Sequence, residues 1–486
     1  MFELSATSVF LGVVIFLLCF WVVRRPKNLP PGPWSLPIIG YNFKPGLIHE
    51  AYMDLAKKYG PIFSLRRGSF VFVILNDRES ITQALVKSGE FFSDRFVPGH
   101  FNWSIPDPGK KGKLHTTIAF SNGKPWVDLR RFALPALRSF GFGKQSLVPQ
   151  INLEARYLSE EIRNLRGEPT DLATTFSKAT ANIICQLLFS QRYEYSDGEM
   201  SRILKSMDEF LSLIHETDLV NIFETLIHTP RYKPYRESIF SDRDFIMSHL
   251  NSHRETFQKD NIRDFTDAFL ADDISKEFEL EHFWRVLLDF FIGGTDTTAS
   301  VTSWTILFLS VHPDVQRKVQ AELDTVVGRG RQPNTLDRPD LPYCNATLTE
   351  VMRIRPILPV SVPHMTSDDV SFRGFTIPKG SIIIPNLWAV HHDPKEWNEP
   401  DTFNPDRFLS ADGKQFQKNE AWMPFGVGRR DCVGSQLAKM ETFLLFTNLF
   451  QQFEFKLPPN QPNPSMRGAN RFTMNPQPYK ICAIER

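Results

Sequence analysis

The segment Pro424-Phe425-Gly426-Val427-Gly428-Arg429-Arg430-Asp431-Cys432-Val433-Gly434 constrains this 486-residue chain more than any other stretch, because it runs straight into a helical pattern from Leu437 to Phe450. Glycines at 426, 428 and 434 let backbone approach a flat ligand closely. Cys432 stands at the entrance to the helix, where unpaired N–H groups and the positive dipole end favour a thiolate. Arg430, two residues earlier, is placed to hold a carboxylate. A lone cysteine is most often an inert core residue. A cysteine presented on a glycine-rich loop, with cations beside it, instead suits the axial ligand of a haem iron.

The rest of the chain is large enough to enclose such a group. Apolar residues make up 42% and charged residues 23%, which excludes a disordered or fibrous chain. The net charge of +1 provides no field that would favour nucleic acid. Five scattered cysteines with no CxxC spacing form neither a zinc site nor a disulfide framework, which points to a reducing compartment. The 42 phenylalanines fit a large core or a wide apolar ligand cavity.

Residues 5–23 carry no charge and would span roughly 28 Å as a helix, close to the hydrocarbon thickness of a bilayer. The chain begins Met-Phe-Glu-Leu, without the basic start of a cleaved leader, and Arg24, Arg25 and Lys27 follow the run. Residues 1–27 therefore read as an uncleaved single-pass anchor with everything after it in the cytosol. The sequons at Asn102 and Asn345 would then stay unmodified. Prolines 30, 31 and 33 make residues 28–36 a stiff hinge, and residues 37–486 read as one domain, since no linker or repeat divides them.

Helical patterns dominate from Asp77 to Arg355, and strands are few, so the expected fold is mainly α with a minor β-sheet region. Gly60–Leu75 reads as a hairpin, Ile377–Ile384 as another with its turn at Lys379-Gly380, and Phe472–Ile484 as extended. Phe290–Ser310 is long enough to cross a membrane. Asp296, its threonines and Gly293-Gly294 favour a helix buried inside the globule. A threonine hydroxyl there can bond the carbonyl one turn back and loosen the helical ladder. Glu350 and Arg353 share a helix face at i and i+3 and can pair.

With Pro405-Asp406-Arg407-Phe408 and the cysteine loop, these motifs resemble the cytochrome P450 superfamily of haem-thiolate monooxygenases along essentially the whole chain. The anchor, hinge and motif order are similar to microsomal animal enzymes of the family-2 type, which oxidise drugs, steroids and fatty acids. The resemblance implies haem b with Cys432 as iron ligand, and Phe425 and Gly434 beside it. Trp126, Arg130, His364, Arg430 and Arg95 would serve the haem propionates. Glu350, Arg353 and Arg407 are implied as a structural lock.

Thr297 would be the distal alcohol and Asp296 the adjacent acid, both delivering protons; Gly293 stands where many relatives carry alanine. Compared with the family pattern, extra residues around Asp107-Pro-Gly-Lys-Lys-Gly lie between Arg95 and Trp126, beside the substrate loop. Phe290, Phe291, Ile357–Val362 and Phe472 match substrate-recognition segments, so the substrate is lipophilic, and Arg471 is a candidate anchor for a polar group. The chain contains no dinucleotide or flavin motif. Electrons must therefore come from outside, and the resemblance implies an NADPH-dependent flavoprotein reductase, with cytochrome b5 as a second donor, at the endoplasmic reticulum membrane. Arg131, Arg138, Lys144, Arg429 and Lys439 match the reductase-docking face. The resemblance implies insertion of one atom of O2 into the substrate.

Overall fold

Apolar residues three and four apart, with few glycines or prolines inside the runs, make most of the chain helical. The computed structural model describes residues 28–486 other than 37–38, 44–45, 100–116, 215–219, 222, 279, 460–461 and 470. The expected anchor, the Asn102 sequon and the extra residues near 107 lie outside the described residues.

The helices that matter for the site are α1 (Ile48–Tyr59), α2 (Gly123–Ser139), α3 (Val148–Asn164), α4 (Ala173–Phe189), α5 (Gly198–Leu213), α6 (Lys233–Thr256), α7 (Phe265–Ala271), α8 (Leu280–Val311), α9 (Pro313–Val326), α10 (Pro342–Ile354) and α11 (Ser435–Gln452). The 32 residues of α8 run through the core as anticipated. Among the described residues, no helix is long and apolar enough to cross a membrane. Helix α11 is buried on nearly every side, as an all-round apolar core helix must be. It meets α3 through Asn448 Nδ2, which donates to Asn152 Oδ1 at 3.0 Å.

Strands β1 (Ile62–Arg67), β2 (Phe70–Leu75), β3 (Asp94–Arg95), β4 (His364–Met365) and β7 (Ile382–Pro385) form one sheet in the order β1-β2-β7-β4-β3. The anticipated 60–75 hairpin is present, with Leu65 opposite Phe72. The anticipated 377–384 hairpin is not. Ile377 ends β6 (Phe375–Ile377), which pairs with β5 (Val370–Phe372), whereas Ile383 pairs in parallel with Val73 of β2. Lys379-Gly380 does turn the chain, but the residues on either side enter different sheets. The C-terminal segment is extended as read, yet joins a sheet only at β9 (Cys482–Glu485), against β8 (Phe453–Lys456). Before that it clamps onto α8. Trp304 Nε1 donates to the Met474 carbonyl and the Tyr479 hydroxyl to the Ser303 carbonyl, both at 2.7 Å.

The Pro-rich segment is no detached spacer. Ser64 donates from its amide to Pro31 O (2.7 Å) and from its hydroxyl to Pro30 O (2.6 Å), and Thr376 N donates to Asn28 O (2.9 Å). Asn345 is buried within α10, with its amide nitrogen on the Arg338 and Leu341 carbonyls, leaving no room for a glycan.

Glu350 and Arg353 are fully buried on α10 and joined by two bonds of 2.6 and 2.8 Å. Arg353 also donates to the His391 and Pro400 carbonyls, while Arg407 Nε (3.1 Å) and Asn404 N (3.0 Å) complete Glu350. The pair is saturated by its own neighbourhood.

His253, Asp264 and Asp267 cluster where α6 meets α7, but every charge is committed. His253 Nε2 meets Asp264 Oδ2 at 2.7 Å, and Arg263 holds both Asp267 oxygens. Burial pulls the His253 imidazole down, and the bond and charge of Asp264 more than offset it, so the net shift is upward. The stabilisation is therefore complete below the ordinary histidine value of about 6.5 and is lost as pH rises through the higher folded value. Urea midpoints measured across that window should fall with pH in the wild type. His253→Gln should remove that component of the slope.

Candidate active site

Cys432 and α8 face the same cavity of about 320 Å³, which is walled mainly by apolar side chains. The loop before α11 turns at Gly426 (φ 70°) and Gly428 (φ 85°), both in the left-handed region that favours glycine. Of the three loop glycines, Gly428 is required by protein rather than ligand, because a Cβ there would fall 2.1 Å from the Leu85 carbonyl oxygen. Gly426 lines the cavity, and a Cβ there would meet nothing within 4 Å. Cys432 N donates to Phe425 O at 2.9 Å, which fixes the loop across its neck.

Cys432 is exposed to the cavity but enclosed by the protein. Burial raises its thiol, against the lowering effect of the Gly434 backbone N–H. The expected preference for a thiolate therefore does not arise from the helix entrance alone; a cation in the cavity has to supply it. Phe425 and Gly434 also line the cavity.

On α8, Thr297 Oγ1 donates to the Gly293 carbonyl one turn back at 2.6 Å, the bond anticipated from sequence. The paired glycines have different reasons. A Cβ on Gly294 would lie 2.3 Å from Ile184 Cδ1 on α4, so this glycine sets the helix–helix approach. One on Gly293 would meet nothing within 4 Å, so this glycine leaves space in the cavity. A second tie to α4 comes from Thr180 Oγ1, which donates to Thr295 O at 2.9 Å. Thr297 lines the cavity and Asp296 does not. Asp296 is buried on the other side of the helix, where Asn475 Nδ2 reaches its Oδ1 at 3.4 Å.

Trp126, Arg130, His364, Arg430 and Arg95 all line the same cavity. Arg430 stacks on Trp126, 3.8 Å from its ring centroid, and donates to the Ser93 and Ser121 carbonyls. Arg95 donates to the Val362 carbonyl at 2.6 Å. Burial and the neighbouring arginines bring Arg95 down to about 9, and burial brings Arg430 down to about 9 as well. Arg130 is already paired with Asp431 at 2.6 Å. His364 Nδ1 donates to the Phe92 carbonyl at 2.7 Å, and burial and Arg95 hold the ring neutral. Its second nitrogen can donate only if an anion restores the proton.

Several other expectations need correcting. Phe290, Ile357 and Val362 line the cavity, whereas Phe291 packs on Phe245 and Phe472 stands outside. Arg471 is not a substrate anchor: it pairs with Asp208 and stays out of the cavity. Arg131, Arg138, Lys144 and Arg429 are exposed, but Lys439 is half-buried, with its ammonium 5.1 Å from the Phe425 ring. Sequence reading passed over Asp289, whose Oδ2 accepts from Ala119 N at 3.0 Å, and Glu441, a fully buried acid in the cavity wall. Neither carries a motif; only the three-dimensional path of α8 and α11 brings them to the cavity.

Residues 30–483 match the family described as Cytochrome P450. That match makes the protein a haem-containing oxidoreductase, a monooxygenase by class. The chain is 37% identical to cytochrome P450 2J2 of Homo sapiens over 495 residues, covering 98% of this chain and 96% of the relative. Identity is 39% with cytochrome P450 2J3 of Rattus norvegicus (97% and 94% covered) and 35% with cytochrome P450 2U1 of Homo sapiens (98% and 93% covered). The chain belongs to the cytochrome P450 family.

The cavity residues fit a haem. Trp126 Nε1 and Arg95 Nε are buried donors with no partner among the described residues, and they border the same space as the Cys432 sulfur. Unused buried N–H groups on Arg95 and Trp126, with Arg430 and Arg130 beside them, call for anionic oxygens, and haem brings two carboxylates.

Proposed function

We propose that this protein inserts one atom of O2 into a neutral, lipophilic small molecule, drawing two electrons from NADPH through a membrane-bound flavoprotein reductase. The observation that carries this reading is the shared cavity, with a cysteine sulfur and a helix-bound threonine hydroxyl both opening into mainly apolar walls. Apolar lining favours a lipophilic substrate. Cytochrome b5 would be an alternative donor for the second electron. Residues 1–27 would anchor the chain in the endoplasmic reticulum membrane with residues 37–486 in the cytosol, and residues 28–36 would join the two.

Bound haem supplies the oxygen-activating chemistry. Cys432 would hold its iron, with the Gly434 N–H supporting negative charge on sulfur. Phe425 and Gly434 would bound its face. Trp126, Arg95, Arg430, Arg130 and a protonated His364 would hold its carboxylates. Thr297 keeps its own proton directed at Gly293 O, so its oxygen is left to accept from a cavity water. Asp296, behind it on α8, would pass protons forward by way of solvent. The balance is RH + O2 + two electrons + two protons giving ROH + H2O.

Thr297→Ala tests the reading. NADPH and O2 consumption should continue while product per NADPH falls and hydrogen peroxide rises. One aligned hydrogen bond in a water-excluded site is worth about 2–4 kcal/mol in a transition state, so a tenfold or larger loss of coupling is expected. Unchanged product per NADPH would reduce Thr297 to a helix-packing residue.

A further inference from the structure

Asp296 and Arg471 face each other across a gap that neither closes. Arg471 Nη2 stands 3.9 Å from Asp296 Oδ1, within reach of charge but beyond a hydrogen bond. Arg471 Nε and Nη2 and Asp296 Oδ2 are all buried without a partner among the described residues. Arg471 is held back by its other arm: Nη1 donates to Asp208 Oδ1 at 2.5 Å, and Asp208, on α5, is 58% exposed. The remaining support for Asp296 is uncharged: the Thr473 hydroxyl favours its carboxylate, and Asn475 adds to it. Asn475 reaches it at 3.4 Å while its own carbonyl accepts from Ser300 Oγ at 2.5 Å. Two desolvated, opposite charges left about 1 Å short of contact is a costly arrangement unless a competing bond maintains it.

We infer that Arg471 is a positioning residue shared between Asp208 and Asp296: its bond to Asp208 withdraws the counter-charge from Asp296 and leaves that carboxyl able to hold a proton. Loss of the Asp208 bond lets the guanidinium settle on Asp296 and fix it as a carboxylate. Arg471 and Asp208 are the charged groups whose fields reach Asp296, and burial is what favours its neutral form. Helix α5 also leans on the same C-terminal segment, where Phe472 N donates to Leu211 O at 3.3 Å. Displacement of α5 would therefore set the proton occupancy of an acid on α8. The catalytic meaning of this rests on Asp296 as a proton donor; the sharing of Arg471 does not.

The test follows the carboxylic-acid infrared band of the full-length holoprotein through a pH titration, the Asp296 component being the one missing from Asp296→Asn. In Asp208→Asn, a change at an exposed site, the band should titrate at least one pH unit lower, a tenfold change in proton affinity. It should do so at both low and high salt, since a contact pair resists screening and the distant field of an exposed carboxylate does not. In Arg471→Met the band should titrate higher, and adding Asp208→Asn to it should produce little further shift. An unchanged or higher titration in Asp208→Asn overturns the inference. So does a shift that vanishes at high salt, or one of equal size with Arg471 absent. Product per NADPH in Asp296→Asn separately tests the acid's role in turnover.

Discussion

Cys432→Ser is expected to abolish the long-wavelength Soret band of the reduced carbon monoxide complex and to reduce oxygenation to background. The protein alone keeps this sulfur as a thiol, because burial outweighs the Gly434 N–H. Ionisation therefore has to be driven by a bound cation, and even a thiol raised by burial can be deprotonated this way far more readily than a serine hydroxyl. The other described cysteines, at 185, 344 and 482, are buried and absent from the cavity lining. None can substitute without refolding around it. Persistence of the band in Cys432→Ser would mean that the sulfur ligand lies elsewhere.

The second large effect is expected from Arg353→Met. The substitution strands Glu350, fully buried and matched by two bonds from this arginine, and leaves the His391 and Pro400 carbonyls without their donor. Breaking a buried pair by removing one partner costs about 3–5 kcal/mol. Against a total stability of roughly 5–15 kcal/mol, that loss should appear as a large fall in the urea midpoint and in the yield of haem-loaded protein. Replacing both partners by apolar residues should recover only part of it, because Arg407 Nε then loses its own carboxylate. Near-wild-type stability in Arg353→Met would remove the pair from the framework.

How legible these features were depended on how local they are. The Thr297–Gly293 bond spans one helical turn, and the Glu350–Arg353 pair shares a face, so spacing permits both and the motifs around them single them out. The cysteine loop is contiguous, and its entry into α11 follows from residue types. Partners fixed by tertiary approach were not legible. Nothing in Ile382–Ile384 tells whether it pairs with Ile377 five residues back or with β2, and a short apolar strand fits either. Likewise Gly293 and Gly294 are chemically identical neighbours, and only the position of Ile184 assigns packing to one and space to the other. Asp296 reads as an acid beside the distal threonine, yet one residue along a helix turns a side chain by about 100°, enough to take it out of the cavity.

The sheet carries a timetable. Strand β2 cannot acquire its parallel neighbour until residues 382–385 exist, and Arg430 cannot reach Ser93 and Ser121 until later still. At about 5–20 residues per second, a ribosome needs roughly 15 to 60 s to go from one strand to the other. Throughout that interval Phe70-Val-Phe-Val-Ile-Leu75 offers an uncovered, charge-free edge to any other nascent chain. Half-made copies are thus the vulnerable form of this protein. Slower translation before residue 385, or crowding of polysomes, should raise aggregation even where the finished enzyme is stable.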